Sequence, residues 1–306
     1  MIAVLSGVGD FHAIRVSQEL EARGHSALIV DTQQFGSGAT IHYPIDGGAE
    51  IRRADGATLA MDEVRAVWNR RPLPAIIDDA VSDPDDRRFC RQEWAQTLDG
   101  LLMNLEARFV NSVHAEFGAV KPRQLRVARD AGLNVPDTLI TSDPDQVGGF
   151  LDKHGGHVIH KAITAPRHRL LETRMWAETD SEALEDLPLA PTMFQEAVDG
   201  PSDVRATVAG ERILAARIQS SEGRFGVDSR LDLDVPCVPH ELPARVANPL
   251  LEMMSALGLV YGTIDLKITD EGEYFFFEVN PQGQFLYIEI LTGLPITSAV
   301  ADLLAA

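Results

Sequence analysis

Gly262-Thr263-Ile264-Asp265-Leu266-Lys267 and Tyr274-Phe275-Phe276-Phe277-Glu278-Val279-Asn280-Pro281 are two mainly apolar runs separated by the Thr269–Gly272 turn, Thr-Asp-Glu-Gly. The pattern predicts two strands of a hairpin, 261–269 and 273–280. Side chains alternate between faces along a strand, so Glu278 and Asn280 share one face. Asp265, on the partner strand, can meet them there. Two carboxylates and a carboxamide make an all-oxygen set of the kind Mg²⁺ prefers, in a shell that it shares with nucleotide phosphates. The plainer alternative is a solvated hairpin face with scattered acids. That alternative leaves the acids inside otherwise apolar strands, where an unpaired carboxylate is expensive to bury.

Cations able to balance a nucleotide lie upstream. Lys161 sits in the strand pattern Val158 to Ile163, either as a phosphate contact or as an edge lysine with its head in water. Lys121 stands just before Pro122 at a helix start, a place that suits a phosphate contact and equally an ordinary surface cation. Arg205 and Arg217 alternate with apolar residues in two strand patterns, 203–209 and 212–219. Each could instead be a structural ion pair, with Asp203 the obvious partner for Arg205. Phe194-Gln195-Glu196-Ala197-Val198 reads as a hinge whose backbone can bond an adenine edge.

Further toward the N-terminus, strand and helix patterns alternate. Ile2 to Leu5 is strand-like, Asp10 caps a helix that ends at Gly24, and Ala27 to Val30 is the next strand. This βαβ opening implies a parallel sheet. Gly7 and Gly9 lack the third glycine of a dinucleotide-binding turn, so a tight turn is the better reading. Residues 39–60 read as hairpins, 85–104 as a long helix and Arg108 to Asn111 as a strand. A second module starts near Ser112, with strands over Val135 to Thr141 and Val158 to Ile163, and a third near Met193. The third carries a helix from about Pro243 to Leu257 and a last helix after Pro295.

The chain has 306 residues, 27 Lys+Arg against 46 Asp+Glu, and a formal net charge of −19; 45% of it is apolar and 24% charged. That composition is globular, and the length suits roughly two domains. The acidic balance disfavours nucleic acid and anionic membranes as partners without excluding a local basic pocket. No membrane-spanning run or signal peptide is read, and two cysteines, Cys90 and Cys237, argue for a reducing, cytoplasmic setting. His154, His157 and His160 are spaced three apart, but a Gly155-Gly156 turn separates them and no cysteine is near, which argues against zinc. Ser6 and Ser112 have no hydrolase elbow around them.

Together these pieces resemble the ATP-grasp superfamily, and the likeness covers about two-thirds of the chain, from Lys121 onward. A narrower resemblance, to the microviridin-type (graspetide) peptide ligases, covers nearly the whole chain. It rests on Arg23-Gly24-His25 with Asp31 and Phe35, on Val67-Trp68-Asn69-Arg70-Arg71-Pro72, and on Val110-Asn111-Ser112. Gln124 to Arg129, Val135 to Ser142, Phe194-Gln195-Glu196, Asp228-Ser229-Arg230 and Asn280-Pro281-Gln282-Gly283-Gln284-Phe285 complete it. The family often carries an aromatic where Ser229 stands, which points to a different substrate.

The resemblance implies a mixed α/β, three-domain architecture, here 1–112, 113–193 and 194–306, with an N-terminal open parallel sheet and ATP held between the other two domains. It assigns Lys121 and Lys161 to ATP phosphates and the hinge Gln195, Glu196 and Val198 to adenine. Asp203 and Arg205 fall near ribose and phosphates, and Asp265, Glu278 and Asn280 become the Mg²⁺ ligands. Arg217, with Asp228 and Arg230, is placed at the transfer centre, Asp228 being a candidate general base. The implied reaction is ATP-dependent activation of an Asp or Glu side chain of a precursor peptide, closed by a Ser/Thr hydroxyl or a Lys amine. A leader segment of that peptide is expected on residues 164–192, where Arg167, Arg169, Arg174 and Trp176 could hold it, and a homodimer is expected. The alternative reaction is addition of a free amino acid to a peptide or small acid. A nucleotide-binding scaffold without turnover is the third possibility.

Overall fold

A computed structural model describes residues 1–164, 173–219 and 236–306. Arg167, Arg169, Asp228 and Arg230 lie outside the described residues.

The N-terminal region follows the alternation of its sequence. β1 (Ile2–Ser6), α1 (Phe11–Ala22) and β2 (Ala27–Val30) form the βαβ start, and the Asp10 carboxylate accepts from the His12 and Ala13 amides to cap α1. β3 (Thr40–His42), β4 (Glu50–Arg52) and β5 (Thr58–Ala60) make a small antiparallel sheet. β6 (Ala66–Arg71), the long α2 (Pro84–Met103) and β7 (Arg108–Val110) complete a four-stranded parallel sheet of order β2-β1-β6-β7.

The central region begins with two short helices, α3 (Val113–Gly118) and α4 (Lys121–Asp130). β8 (Thr138–Thr141), α5 (Asp145–Lys153), β9 (Val158–Lys161), β10 (Arg174–Met175) and β11 (Thr192–Glu196) follow. Its sheet has the order β10-β9-β11-β8, and all its pairings are antiparallel. β11 lies between β8 and β9, so the chain leaves this sheet only after Glu196, slightly beyond the expected change of domain at 193/194. α4 packs not on this sheet but on the C-terminal one, where Leu125 and Ala128 join that core.

The C-terminal region is built from β12 (Ser202–Ala209), β13 (Arg212–Gln219), β14 (Cys237–His240), α6 (Ala244–Leu257), β15 (Tyr261–Ile268) and β16 (Tyr274–Asn280). Its five-stranded sheet has the order β14-β13-β12-β15-β16, and α7 (Leu286–Thr292) and α8 (Ile296–Ala305) close the chain. Strand alternation gives the sheet two uses. Val204, Ala206, Ile264, Leu266 and Phe276 pack against Leu250, Met253 and Met254 of α6. Ala216, Ile218 and Tyr261 join Ile288, Ile296 and Val300 with Val4 and Trp68 of the N-terminal sheet, tying the two ends of the chain into one core. Leu250 is fully buried, and truncating such a residue to Ala costs about 2–5 kcal/mol. No helix among the described residues is long and apolar enough to cross a membrane.

Candidate active site

The predicted hairpin forms, and its register decides which polar groups meet. Asp265 lies directly opposite Glu278, and Thr263 opposite Asn280. On the other side of β15, Arg205 lies opposite Asp265 and Asp203 opposite Lys267. Directly opposed residues project from the same face. One row therefore crosses three strands, Arg205–Asp265–Glu278, and continues onto α4. Arg205 Nη1 donates to Asp265 Oδ1 at 2.5 Å, and Lys121 Nζ lies 2.9 Å from Glu278 Oε2. Burial pulls the Arg205 pKa down, but the Asp265 carboxylate outweighs it and holds the guanidinium above its ordinary value.

Lys121 is positioned by a side chain one turn later. Gln124 is buried and bonds the edge of β16: its Nε2 donates to the Val279 carbonyl at 2.9 Å and its Oε1 accepts the Val279 amide at 3.0 Å. Val279 stands between Glu278 and Asn280, so this clamp presents the helix start to the row. Lysine and glutamine three residues apart share a helix face, which is why both reach β16.

The expected Arg205–Asp203 pairing does not form. Two residues apart on one strand, both project from one face, and each finds its cross-strand opposite instead; Asp203 takes Lys267 at 3.1 Å. Arg217 is not in the row either. It lies opposite Val204, so alternation turns it to the other face of β12 from Arg205, where its Nε donates to Ser202 Oγ at 2.8 Å.

The central sheet supplies the second lysine. Lys161 Nζ donates to Gln195 Oε1 at 3.0 Å and lies 6.0 Å from the ring centroid of Phe277, the neighbour of Glu278. Gln195 is fully buried and donates onward to Thr138 Oγ1 at 2.9 Å. Glu196 turns its carboxylate back to the Asp137 amide, and Val198 is half-buried just beyond the strand. Asn280 is exposed, and its Oδ1 accepts from the Gln282 amide at 3.0 Å.

Of the expected leader contacts among the described residues, Arg174 lies on the exposed strand β10, whereas Trp176 belongs to the central core. Its ring packs edge-on against His160 and Phe194. The three histidines go to three separate carboxylates: His154 to Asp137, His157 to Asp199 and His160 to Asp180.

A junction beside the row comes from residues that sequence reasoning did not place in the site. Arg70 is buried, its Nε lies 3.2 Å from Asp10 Oδ2, and its Nη1 donates to the Gln282 carbonyl. Glu116 Oε2 accepts from Asn69 Nδ2 at 2.9 Å and from Gln282 Nε2 at 2.7 Å. Burial pushes the Glu116 carboxyl up to about 8. Gly283 follows because a Cβ there would lie 1.6 Å from Thr263 Oγ1. The one available signal was an arginine inside the apolar run Val67-Trp68-Asn69-Arg70.

The donor chemistry fits a hard divalent cation. Asp265 and Glu278 offer two carboxylates and Asn280 a carboxamide on neighbouring strands, with no sulfur or imidazole among them. No group of three His, Cys, Asp or Glu side chains able to hold a metal gathers among the described residues, and this set combines two carboxylates with a carboxamide.

Residues 1–116 match the family model of the MvdD pre-ATP grasp domain. Over the whole fold, the chain is similar to the macrocyclase MdnC of Microcystis aeruginosa bound with precursor peptide MdnA, at 28% identity, a TM-score of 0.90 and 99% coverage of both chains. It is similar also to the ATP-grasp ligase PsnB complexed with a precursor variant, Mg and ADP, at 28% identity and a TM-score of 0.82, covering 99% of this chain and 97% of that one. A curated relative from Pseudoalteromonas translucida, described as a probable alpha-L-glutamate ligase, is 32% identical over 195 residues, 60% of this chain. The chain spans about three-fifths of the length of that relative, 62%. The pre-ATP-grasp model at the front, the fold from end to end and the ligase relatives point the same way: the chain is similar to ATP-grasp ligases and, over its full length, to a precursor-peptide macrocyclase.

Proposed function

We propose that this chain is an ATP-dependent peptide ligase that closes ω-ester or ω-amide crosslinks within a ribosomal precursor peptide. The observation that carries the reading is the row Arg205–Asp265–Glu278–Lys121, with Lys161 beside it, in a chain that matches a macrocyclase over its full length.

Each residue has a physical task. Phosphoryl transfer is mostly positioning and charge neutralisation. Lys121, Lys161 and Arg205 supply three cations for a triphosphate. Asp265, Glu278 and Asn280 would hold Mg²⁺, which when bound neutralises phosphate charge. Gln195 sets the reach of Lys161, Glu196 and Val198 mark the turn available to adenine, and Asp203 with Lys267 forms the polar flank of the row. The γ-phosphoryl group passes from ATP to a side-chain carboxylate oxygen of Asp or Glu, and ADP leaves. A hydroxyl or amine of the same peptide then attacks the carbonyl carbon of the acyl phosphate. Phosphate departs with the C–O bonding electrons, and the nucleophile loses its proton. The peptide is read as carrying a leader that docks on the central domain near Arg174, and the chain as working in the cytosol as a homodimer.

The glutamate-ligase relatives favour a second reading, addition of a free amino acid to a carboxylate. Mass spectrometry separates the two when the chain is incubated with ATP, Mg²⁺ and a short peptide rich in Thr/Ser and Asp/Glu, with and without free glutamate. Loss of one water per bond from the peptide alone supports macrocyclisation. A mass gain that needs glutamate supports the second reading, and neither change sinks both.

A further inference from the structure

A cavity of about 400 Å³ runs along α2 on the N-terminal side of the junction, and none of Arg205, Asp265, Glu278 and Lys121 lines it. Its body is apolar. Phe35 and Trp94 stack with ring centroids 5.2 Å apart and an interplanar angle of 7°, and Leu98, Leu102 and Val113 add buried aliphatic wall. Its mouth passes Ala95 and Phe117, both exposed.

Polar groups also line the cavity. Asn69, Glu116 and Gln282 reach it from β6, from α3 and from the loop after Asn280. Asn69 is only 5% exposed, and its Oδ1 is buried without a hydrogen-bond partner, although its Nδ2 is used on Glu116. A buried acceptor left unsatisfied is costly, so a ligand that brings a donor to it recovers that cost.

We propose that this cavity is a binding site for a phenol, its ring seated beside the Phe35–Trp94 stack and its hydroxyl donating to Asn69 Oδ1. The shape and the polar set choose this class. A planar ring matches a wall of stacked aromatics, and offset or edge contacts between rings favour it over an alkyl chain. A hydroxyl is at once donor and acceptor. It satisfies the Asn69 carbonyl and leaves its own oxygen for the Glu116 carboxyl, which burial keeps largely protonated near neutral pH. An ammonium ion has no lone pair with which to accept that proton. The phenol could be a tyrosine side chain on a peptide or a free small molecule.

The full chain is titrated with p-cresol, toluene and n-butylamine, following tryptophan emission and heat, with no nucleotide present, so the outcome is independent of ligase turnover. p-Cresol is expected to bind saturably, and about tenfold or more tighter than toluene, the hydrogen bond making the difference. Ala95→Trp fills the mouth from an exposed position and is expected to abolish binding with thermal unfolding unchanged. Asn69→Leu is expected to bring p-cresol down to toluene. A capped Gly-Tyr-Gly peptide binding more tightly than p-cresol assigns the ring to a peptide, and the reverse order to a free phenol. Equal binding of toluene and p-cresol, preference for butylamine, no saturable binding, or binding unchanged in Ala95→Trp would each overturn the assignment.

Discussion

The charged row on the C-terminal sheet and the junction beneath it are neighbours built on opposite terms. In the row and its flank, each charge meets an opposite charge, Arg205 with Asp265 and Lys267 with Asp203 across one strand spacing and Lys121 with Glu278 from helix to strand. In the junction, the Arg70 guanidinium meets backbone carbonyls as well as Asp10, and the Glu116 carboxyl is held by amides with no cation bonded to it, so hydrogen bonds carry much of the compensation for burial. The row suits an exchange of partners, since a triphosphate and a cation can replace the internal pairs. The junction suits permanence. It fixes the loop that follows Asn280 to β6 and α3.

The largest effects should come from breaking the row. Asp265→Asn and Glu278→Gln are each expected to lower turnover by about a hundredfold or more, in steady-state ATP assays with peptide. Their stabilities should differ. Asp265→Asn strands a buried guanidinium and is expected to cost about 2–4 kcal/mol in urea unfolding. Glu278→Gln frees only a lysine near the surface and should cost under about 1 kcal/mol. Equal losses for the two would remove the distinction between the inner and outer ends of the row.

Next comes the junction. Arg70→Met removes the donors that hold the Gln282 carbonyl and leaves Asp10 without its ion pair, with an expected loss of about 3 kcal/mol. A loss as small as that of an exposed arginine would show that this loop is held elsewhere.

Glu116 sharpens the contrast through pH. Its carboxyl has an ordinary value of 4.5 and is pushed to about 8 in the fold, so the folded chain holds an extra proton between those values. The stability linked to that proton is complete below pH 4.5 and is lost as pH rises through 8. Glu116→Gln should abolish this decline and leave the variant more stable than the parent by roughly 2–4 kcal/mol at pH 9, read from urea midpoints. His12 acts with the opposite sign. Burial and then Arg70 lower it to about 4, so its contribution is lost as pH falls below 6.5, outside the window that reads Glu116. A parent chain with no decline between pH 6.5 and 9 would contradict the Glu116 assignment.

The smallest effect is expected at Arg217. It faces away from the row, and Arg217→Ala should alter turnover by less than about threefold. A loss comparable to that of Asp265→Asn would place Arg217 in the transfer step and overturn the face assignment.

Much of this was legible in the residues themselves. The βαβ start, the cap at Asp10, the helix opening at Pro122 and the hairpin of β15 and β16 follow from local periodicity and capping chemistry, and all appear where expected. The meeting of Asp265 with Glu278 was legible because a short turn leaves few registers. The partner of Arg205 was not, since nothing local separates Asp203, two residues away, from Asp265, sixty positions on. The packing of Trp176 was not legible either, since its ring neighbours His160 and Phe194 lie on other strands.

The sequence by itself determined which side chains share a face, because alternation along a strand and recurrence along a helix are properties of a few consecutive residues. It carried the resemblance to the ATP-grasp ligases as well, since the motifs are contiguous. Only the tertiary structure decided which faces meet. Glu116 reaches Asn69 across 47 positions and Gln282 across 166, and Gln124 reaches Val279 across 155. Contacts at such separations are set by how whole elements pack, so the clamp on β16, the buried carboxyl and the cavity beside it exist only in the folded chain.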